Sequence, residues 1–150
     1  MSKLSVNEDG FYSRILDLLK TARKTVVQSV NKTIVDTYFE IGRESFWSEH
    51  IAAHIDKSTS YFILAHIGCD FIRPVTLETS LILKLSVTKI GKKSFDYLYI
   101  LADSGDESVE YARGESVQVC YNYSSNESIE LSREFRDILS RFHDEGLLSR

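Results

Sequence analysis

The chain has few of the residues that hold a fold by covalent or rigid means. Of its 150 residues only two are cysteines, Cys69 and Cys120, far apart and each inside a strand-like run. That is neither a disulfide framework nor a metal-binding spacing, and each reads as a buried free thiol. No apolar run approaches the roughly 20 residues of a membrane span. The start is polar and acidic rather than basic then apolar, which argues against a signal peptide and makes the cytoplasm the expected location. There is no excess of positive charge: the formal net charge is -4, so general attraction to nucleic acid or an anionic membrane is not expected, although a local basic patch remains open. Repeats and low-complexity tracts are missing too. What is present is ordinary for a soluble globular protein, 43% hydrophobic and 27% charged, enough for one domain over residues 1–150 with a real core.

The pattern of apolar residues splits the chain in two. Phe11, Ile15, Leu18, Leu19, Ala22, Val26 and Val30 recur three or four apart with Arg14, Lys20, Arg23 and Lys24 between them, and the run continues through Ile34, Tyr38, Ile41, Phe46 and Ile51. This predicts a long amphipathic helix, begun by Asn7 or Asp9 as cap, with Gly42 as a possible break and an apolar face through Ile34, Tyr38 and Ile41. Near Ser58 the period becomes 2. "SYFILAHIGCDFIRP" has apolar residues on both faces and predicts a strand that is central or covered on both sides; the sole proline, Pro74, ends it. "SLILKLSVTKIG" predicts a second strand with Leu81, Leu83, Leu85 and Val87 on one face, "KSFDYLYILAD" a third, and "SVEYARGESVQVCYNY" a fourth, with Gly114 as a bulge or close-packing point. "LSREFRDILSRF" predicts a short closing helix started at Ser132. Short links favour an antiparallel meander. Its face must be covered by the only long apolar element, the helix around Asn31–Ile55, which makes the fold class α+β.

From Ser60 onward the words "FILAHIGCDFIRPV", "LILKLSVTKIGKKSFDYLYIL", "YARGESVQVCYNY" and "LSREFRDIL" resemble, in order and spacing, the hotdog-fold acyl-CoA thioesterases of the 4-hydroxybenzoyl-CoA thioesterase type. The stretch "VNKTIVDTYFEIGRESFW" is similar to that family's helix, with Val30, Asn31, Tyr38, Phe39 and Glu40 on its pattern. The resemblance implies an antiparallel sheet wrapped around a long central helix, hydrolysis of an acyl-CoA thioester, no cofactor beyond the coenzyme A of the substrate, and a dimer or tetramer. The segment before Val30 departs from the family. Thr25 stands in the slot of the usual catalytic Asp and Gln28-Ser29 in that of the usual Gly-His, so residues 1–29 form an atypical helical N-terminal extension. Residues 12–43, "ILDLLKTARKTVVQSVNKTIVDTYFEIGR" among them, also resemble the helical N-terminal region of YhcG-like nucleases, whose nuclease domain has no counterpart here.

Thioester hydrolysis needs a carboxylate to attack or to activate water, and donors for the carbonyl oxygen. With Thr25 in the Asp slot, the candidates are Glu40 and Glu44, with Asp36 behind them, spaced along one side of the helix; a solvated or ion-paired face is the competing reading. For the coenzyme A phosphates the resemblance points to the "KIGKKSF" turn, Lys89, Gly91, Lys92, Lys93 and Ser94, where the lysines act as point charges. The turn lacks the first glycine of a P-loop, and an ordinary charged hairpin explains it equally. Arg73 and Arg113 are weaker phosphate candidates. His50 and His54 have i, i+4 spacing but no third ligand, so no metal site is expected. His66 reads as a core or interface residue. The strand aromatics belong to core and dimer contacts, with some lining an acyl tunnel. An acyl-CoA thioesterase therefore leads; a non-catalytic acyl-CoA or acyl-carrier binding module is the alternative. A nucleic-acid or protein interaction helix is the third reading, disfavoured by the acidic chain.

Overall fold

The 3.6-residue period of the first half produces one helix, α1 (Glu8–Phe46), unbroken over 39 residues and closed by a wide π-helical turn over Trp47–Ile51. The computed structural model describes residues 8–54 and 61–143. Asn7, one of the two expected caps, and Ile55, Ser58 and Ser60 lie outside them, while Asp9 falls inside the helix. Gly42 does not break α1. It is a contact point: a Cβ there would press into the Leu83 side chain. No helix among the described residues is long and apolar enough to cross a membrane.

The period-2 segments form β1 (Tyr61–Phe71), β2 (Leu81–Ile90), β3 (Ser94–Asp103) and β4 (Glu110–Asn122). A two-residue β5 (Glu127–Ser128) returns against the end of β4 through a turn that holds Asn126 at φ 57, a left-handed position that asparagine tolerates. The alternation of the sequence predicts no strand between β4 and the closing helix, so this return is an addition. Helix α2 (Arg133–Ser140) starts at Ser132, whose hydroxyl accepts a hydrogen bond from the Phe135 N–H at 3.2 Å.

The four long strands pair antiparallel, in the order β1-β4-β3-β2. Only β2, β3 and β4 form the expected meander. After β1 the chain crosses the end of the sheet to reach the far edge, and this link is fastened where the buried Asn31 side chain accepts a hydrogen bond from Val75 N–H at 2.7 Å. β1 is therefore an edge strand, not a central or doubly covered one. Leu64, Ile67 and Phe71 on it are exposed. Phe62 and Cys69 pack against the core, and the rest of its apolar content is not covered by the described chain.

Both helices lie on one face of the sheet. The stripe of α1 that meets it is Asn31, Val35, Phe39 and Phe46, with Ile51 beyond. This corrects the expected face: Ile34 and Tyr38 are only partly covered and Ile41 is exposed. The helix is rotated because Phe39 fits a niche made by Gly114, with its ring stacked on Tyr99 at 4.6 Å between centroids. Gly114 is thus a close-packing point. Phe62, Phe95 and Phe135 join β1, β3 and α2 in an aromatic cluster. On the opposite face Leu98, Ile100 and Ala102 form a small buried cluster. Residues 10–30 of α1 contribute nothing to either core: all of them are exposed.

Candidate active site

The C-terminal half of α1 and the end of the sheet leave a cleft of about 250 Å³, lined by Arg43, Glu44, Trp47, Phe62, Leu64, Phe95, Tyr97 and Gln118. Each side chain arrives by its element's period. Arg43 and Trp47 are one helical turn apart; Phe95 and Tyr97 alternate toward the helix on β3; Gln118 lies opposite Phe95 and Leu64 on the neighbouring strands. The walls are aromatic, with Trp47 packed edge-on to Phe62 at 5.1 Å.

A polar chain runs through this apolar setting. Gln118 Nε2 donates to Ser116 Oγ at 3.1 Å, Ser116 Oγ and Tyr99 Oη share a hydrogen bond at 2.6 Å, and Arg43 Nη1 reaches Tyr99 Oη at 3.5 Å. Ser116, Gln118 and Tyr99 are buried. Burial pushes the Tyr99 phenol above its usual range, opposed by its bonds to Ser116 and Arg43, and pushes Tyr97 up further. Both phenols stay protonated, so the chain supplies hydrogen-bond donors without a phenolate.

Of the two helix carboxylates, Glu44 lines the cleft. Glu40, one turn earlier and exposed as Glu44 is, does not belong to its lining. Asp36 pairs instead with Lys32. It also lies close enough to Cys69 to help burial push that thiol up to about 11. Thr25 is far out on the exposed part of α1, its hydroxyl donating to Thr21 O at 3.0 Å, so nothing in the usual Asp slot approaches the cleft.

The hairpin between β2 and β3 holds Lys89, Gly91, Lys92, Lys93 and Ser94. Gly91 N–H donates to Ser94 O at 2.7 Å and closes the turn. Lys92 pairs with Glu130 at 2.8 Å, and Lys93 Nζ donates to Ser128 O at 2.8 Å, so two of the lysines brace β5 and the residues just after it. Ser94 immediately precedes Phe95 of the cleft, which puts the hairpin beside it. Arg73 and Arg113 are elsewhere: Arg73 donates to Glu110 O, and Arg113 pairs with Glu110 at 2.8 Å, at the start of β4.

His50 packs between Phe46 and Phe142, and His54 faces Glu134 at 3.8 Å. Among the described residues no three metal-ligating side chains gather. His66 is exposed on the edge strand, 3.8 Å from Glu115, and is not a core residue. Cys120 is buried and Cys69 half-buried, both free. Arg43, Ser116 and Gln118 carry no signal in a motif. One was available in the alternation of β4, where Ser116 and Gln118 share the inward face with Ala112, Gly114 and Cys120. Polar residues on a core face are informative.

A long helix laid on one antiparallel sheet, with a cleft at the helix end, defines a hotdog-type α+β protein. The chain belongs to the thioesterase-like superfamily, whose profile matches residues 28–139. Among solved structures it is similar to a Pseudomonas aeruginosa protein, at 22% identity over 77% of this chain and 80% of that one, TM-score 0.66. A predicted thioesterase from Bacillus stearothermophilus superposes at 19% identity over 77% and 84%, TM-score 0.66. The 1,4-dihydroxy-2-naphthoyl-CoA thioesterase of Synechocystis does so at 18% identity over 73% and 80%, TM-score 0.61. At such identities the likeness establishes the fold. No curated protein sequence matches the chain.

Proposed function

We propose that this chain hydrolyses an acyl-CoA thioester in the cleft beneath the end of α1, with Glu44 as the base. The observation that carries this is the meeting of a helix carboxylate, an aromatic wall and a buried amide in one cleft. Glu44 takes a proton from water as the hydroxyl adds to the thioester carbon. The carbon–sulfur bond then breaks, the proton passes to the departing thiolate, and a carboxylic acid and coenzyme A remain. The developing oxyanion needs donors aimed at it. A helix N-terminus often supplies them, but α1 runs through without a break and its amides are spent internally. Gln118 Nε2, with the Ser116–Tyr99–Arg43 chain behind it, takes that role. Lys89, Lys92 and Lys93, on the turn shaped by Gly91 and Ser94, take the coenzyme A phosphates. No cofactor beyond the substrate's coenzyme A is needed. The protein works in the cytoplasm as a homodimer or higher oligomer assembled through the open edge of β1.

Thiol release from a panel of acyl-CoA esters tests the reading. Turnover is expected for at least one ester, falling about 100-fold or more in Glu44→Gln, with a smaller loss in Glu40→Gln, which lies outside the lining. Release unchanged in the Glu40→Ala, Glu44→Ala double variant removes the catalytic claim.

A second reading, binding without turnover, draws on the placement of Thr25 on the exposed part of α1. It predicts a rise in Tm with coenzyme A esters and no thiol release.

A further inference from the structure

The arm of α1 before Asn31 carries an apolar stripe that nothing in the described chain covers. Nine of its large apolar side chains are exposed by between 36% (Ile15) and 70% (Leu18). Two of the nine are aromatic, at about 200 Å² each when fully exposed, and with the seven aliphatic ones they expose several hundred Å² of apolar surface. The largest patch of an ordinary monomer is about 300–600 Å², and a standard interface covers roughly 800 Å² per partner. The stripe also cannot reach this chain's own sheet. At 3.6 residues per turn it projects roughly half a turn away from Val35, Phe39 and Phe46, the side that the sheet occupies.

The spacing indicates the kind of partner. Tyr12, Ile15, Leu19, Ala22 and Val26 repeat in steps of three and four, the seam along which two helices mesh. Phe11, Leu16 and Leu18 widen the seam on both sides. Arg14, Asp17, Lys20 and Lys24 fall at the positions that face away from it, and Arg23, next to Ala22, is the one charged side chain at its border. Ala22, small and at the midpoint, lets the backbones approach. The arm is also rich in β-branched Thr21, Thr25, Val26 and Val27, which are mediocre helix formers. A helix of this kind draws most of its stability from packing.

We infer that the arm is an association element, and that its occupant is the arm of a second copy of this chain, paired along the stripe. The pairing is separate from any contact through the β1 edge and from the reaction in the cleft.

The test compares the full chain with a Leu19→Glu, Val26→Glu variant by light scattering coupled to size exclusion. The expected result is a two-fold lower mass for the variant, with its sheet unfolding as cooperatively as the wild type's. An Ala22→Cys variant, at the midpoint of the stripe, is expected to form a disulfide-linked dimer when the folded protein is mildly oxidised, and far less of it when the oxidation is carried out in denaturant. Equal mass for wild type and double variant, or no Ala22→Cys cross-link, overturns the proposal. So does flotation of the wild type, but not of the double variant, with anionic phosphatidylglycerol vesicles at unchanged mass, which would make the stripe a lipid-binding face.

Discussion

An added methyl group at Gly114 would meet the Phe39 ring and lie 3.0 Å from the Gly68 carbonyl oxygen. The first is a fully buried ring and the second is backbone, so neither yields cheaply. Gly114→Ala is expected to destabilise the chain by about 1–3 kcal/mol in chemical denaturation, and less when combined with Phe39→Leu, which vacates the niche. On the opposite face Asp96 shows how a charge can work against folding. Partial burial raises its carboxyl above the ordinary 3.8, Glu115 adds to the rise, and Lys89 opposes it. Because the folded-state value lies above the unfolded one, the destabilisation is absent below about 3.8, develops as pH rises through the folded value, and persists above it. Asp96→Asn is therefore expected to raise Tm at pH 7 and to leave it unchanged near pH 3.5. Single residues were the least legible scale in the sequence. Gly114 was open to a choice between bulge and packing point, Gln118 carried no motif, and the facing of Glu44 toward the cleft depends on a helix rotation that Phe39 decides.

The elements themselves were largely written in periodicity. The shift from 3.6 to 2 near Ser58 separates helix from sheet, the inward row Leu81, Leu83, Leu85 and Val87 was readable from alternation, and Ser132 starts α2 as its type suggests. Register and order were not. β1 is as apolar as a central strand, yet it stands at the edge, because alternation records that a face will be covered and not by which chain. The crossover that carries the chain from β1 to β2 hangs on Asn31, a buried amide bonded to Val75 N–H. Asn31→Ala leaves that N–H without its partner and removes the fastening. The expected cost is about 1–3 kcal/mol, measured as a lower denaturation midpoint, with amide exchange around Val75 quickened before that of β3. Asn31→Asp keeps an acceptor in place and is expected to restore part of the loss.

At the scale of the molecule, the α+β hotdog architecture was visible through the run of strand segments and the words that resemble the thioesterases, and membership of the thioesterase-like superfamily now rests on residues 28–139. The reach of α1 was visible in the unbroken run from Phe11 to Ile51, but not which of its sides the sheet covers. A continuous amphipathic pattern says that a helix is coated, and here two different coats share one helix: the sheet on one side of its second half, and an uncovered stripe on the other side of its first. Sequence period alone does not separate them, because both halves repeat every three or four residues. What separates them is the half-turn change of phase between Val26 and Val35, measurable only once Phe39 and Gly114 fix which side meets the sheet.

The strand order has a consequence for how the chain reaches this state. β2, β3 and β4 are joined by short hairpins and can pair as soon as they exist. β1, made before all of them, must wait for β4: Tyr61 pairs with Tyr121 and Phe71 with Ala112. High contact order of this kind slows folding. On the ribosome β1 is synthesised ahead of β4, the strand it pairs with among the described residues, carrying Ile63, Leu64, Ile67 and Phe71 unpaired. The interval between the synthesis of β1 and that of β4 is the period in which this protein is most open to chaperones and to aggregation.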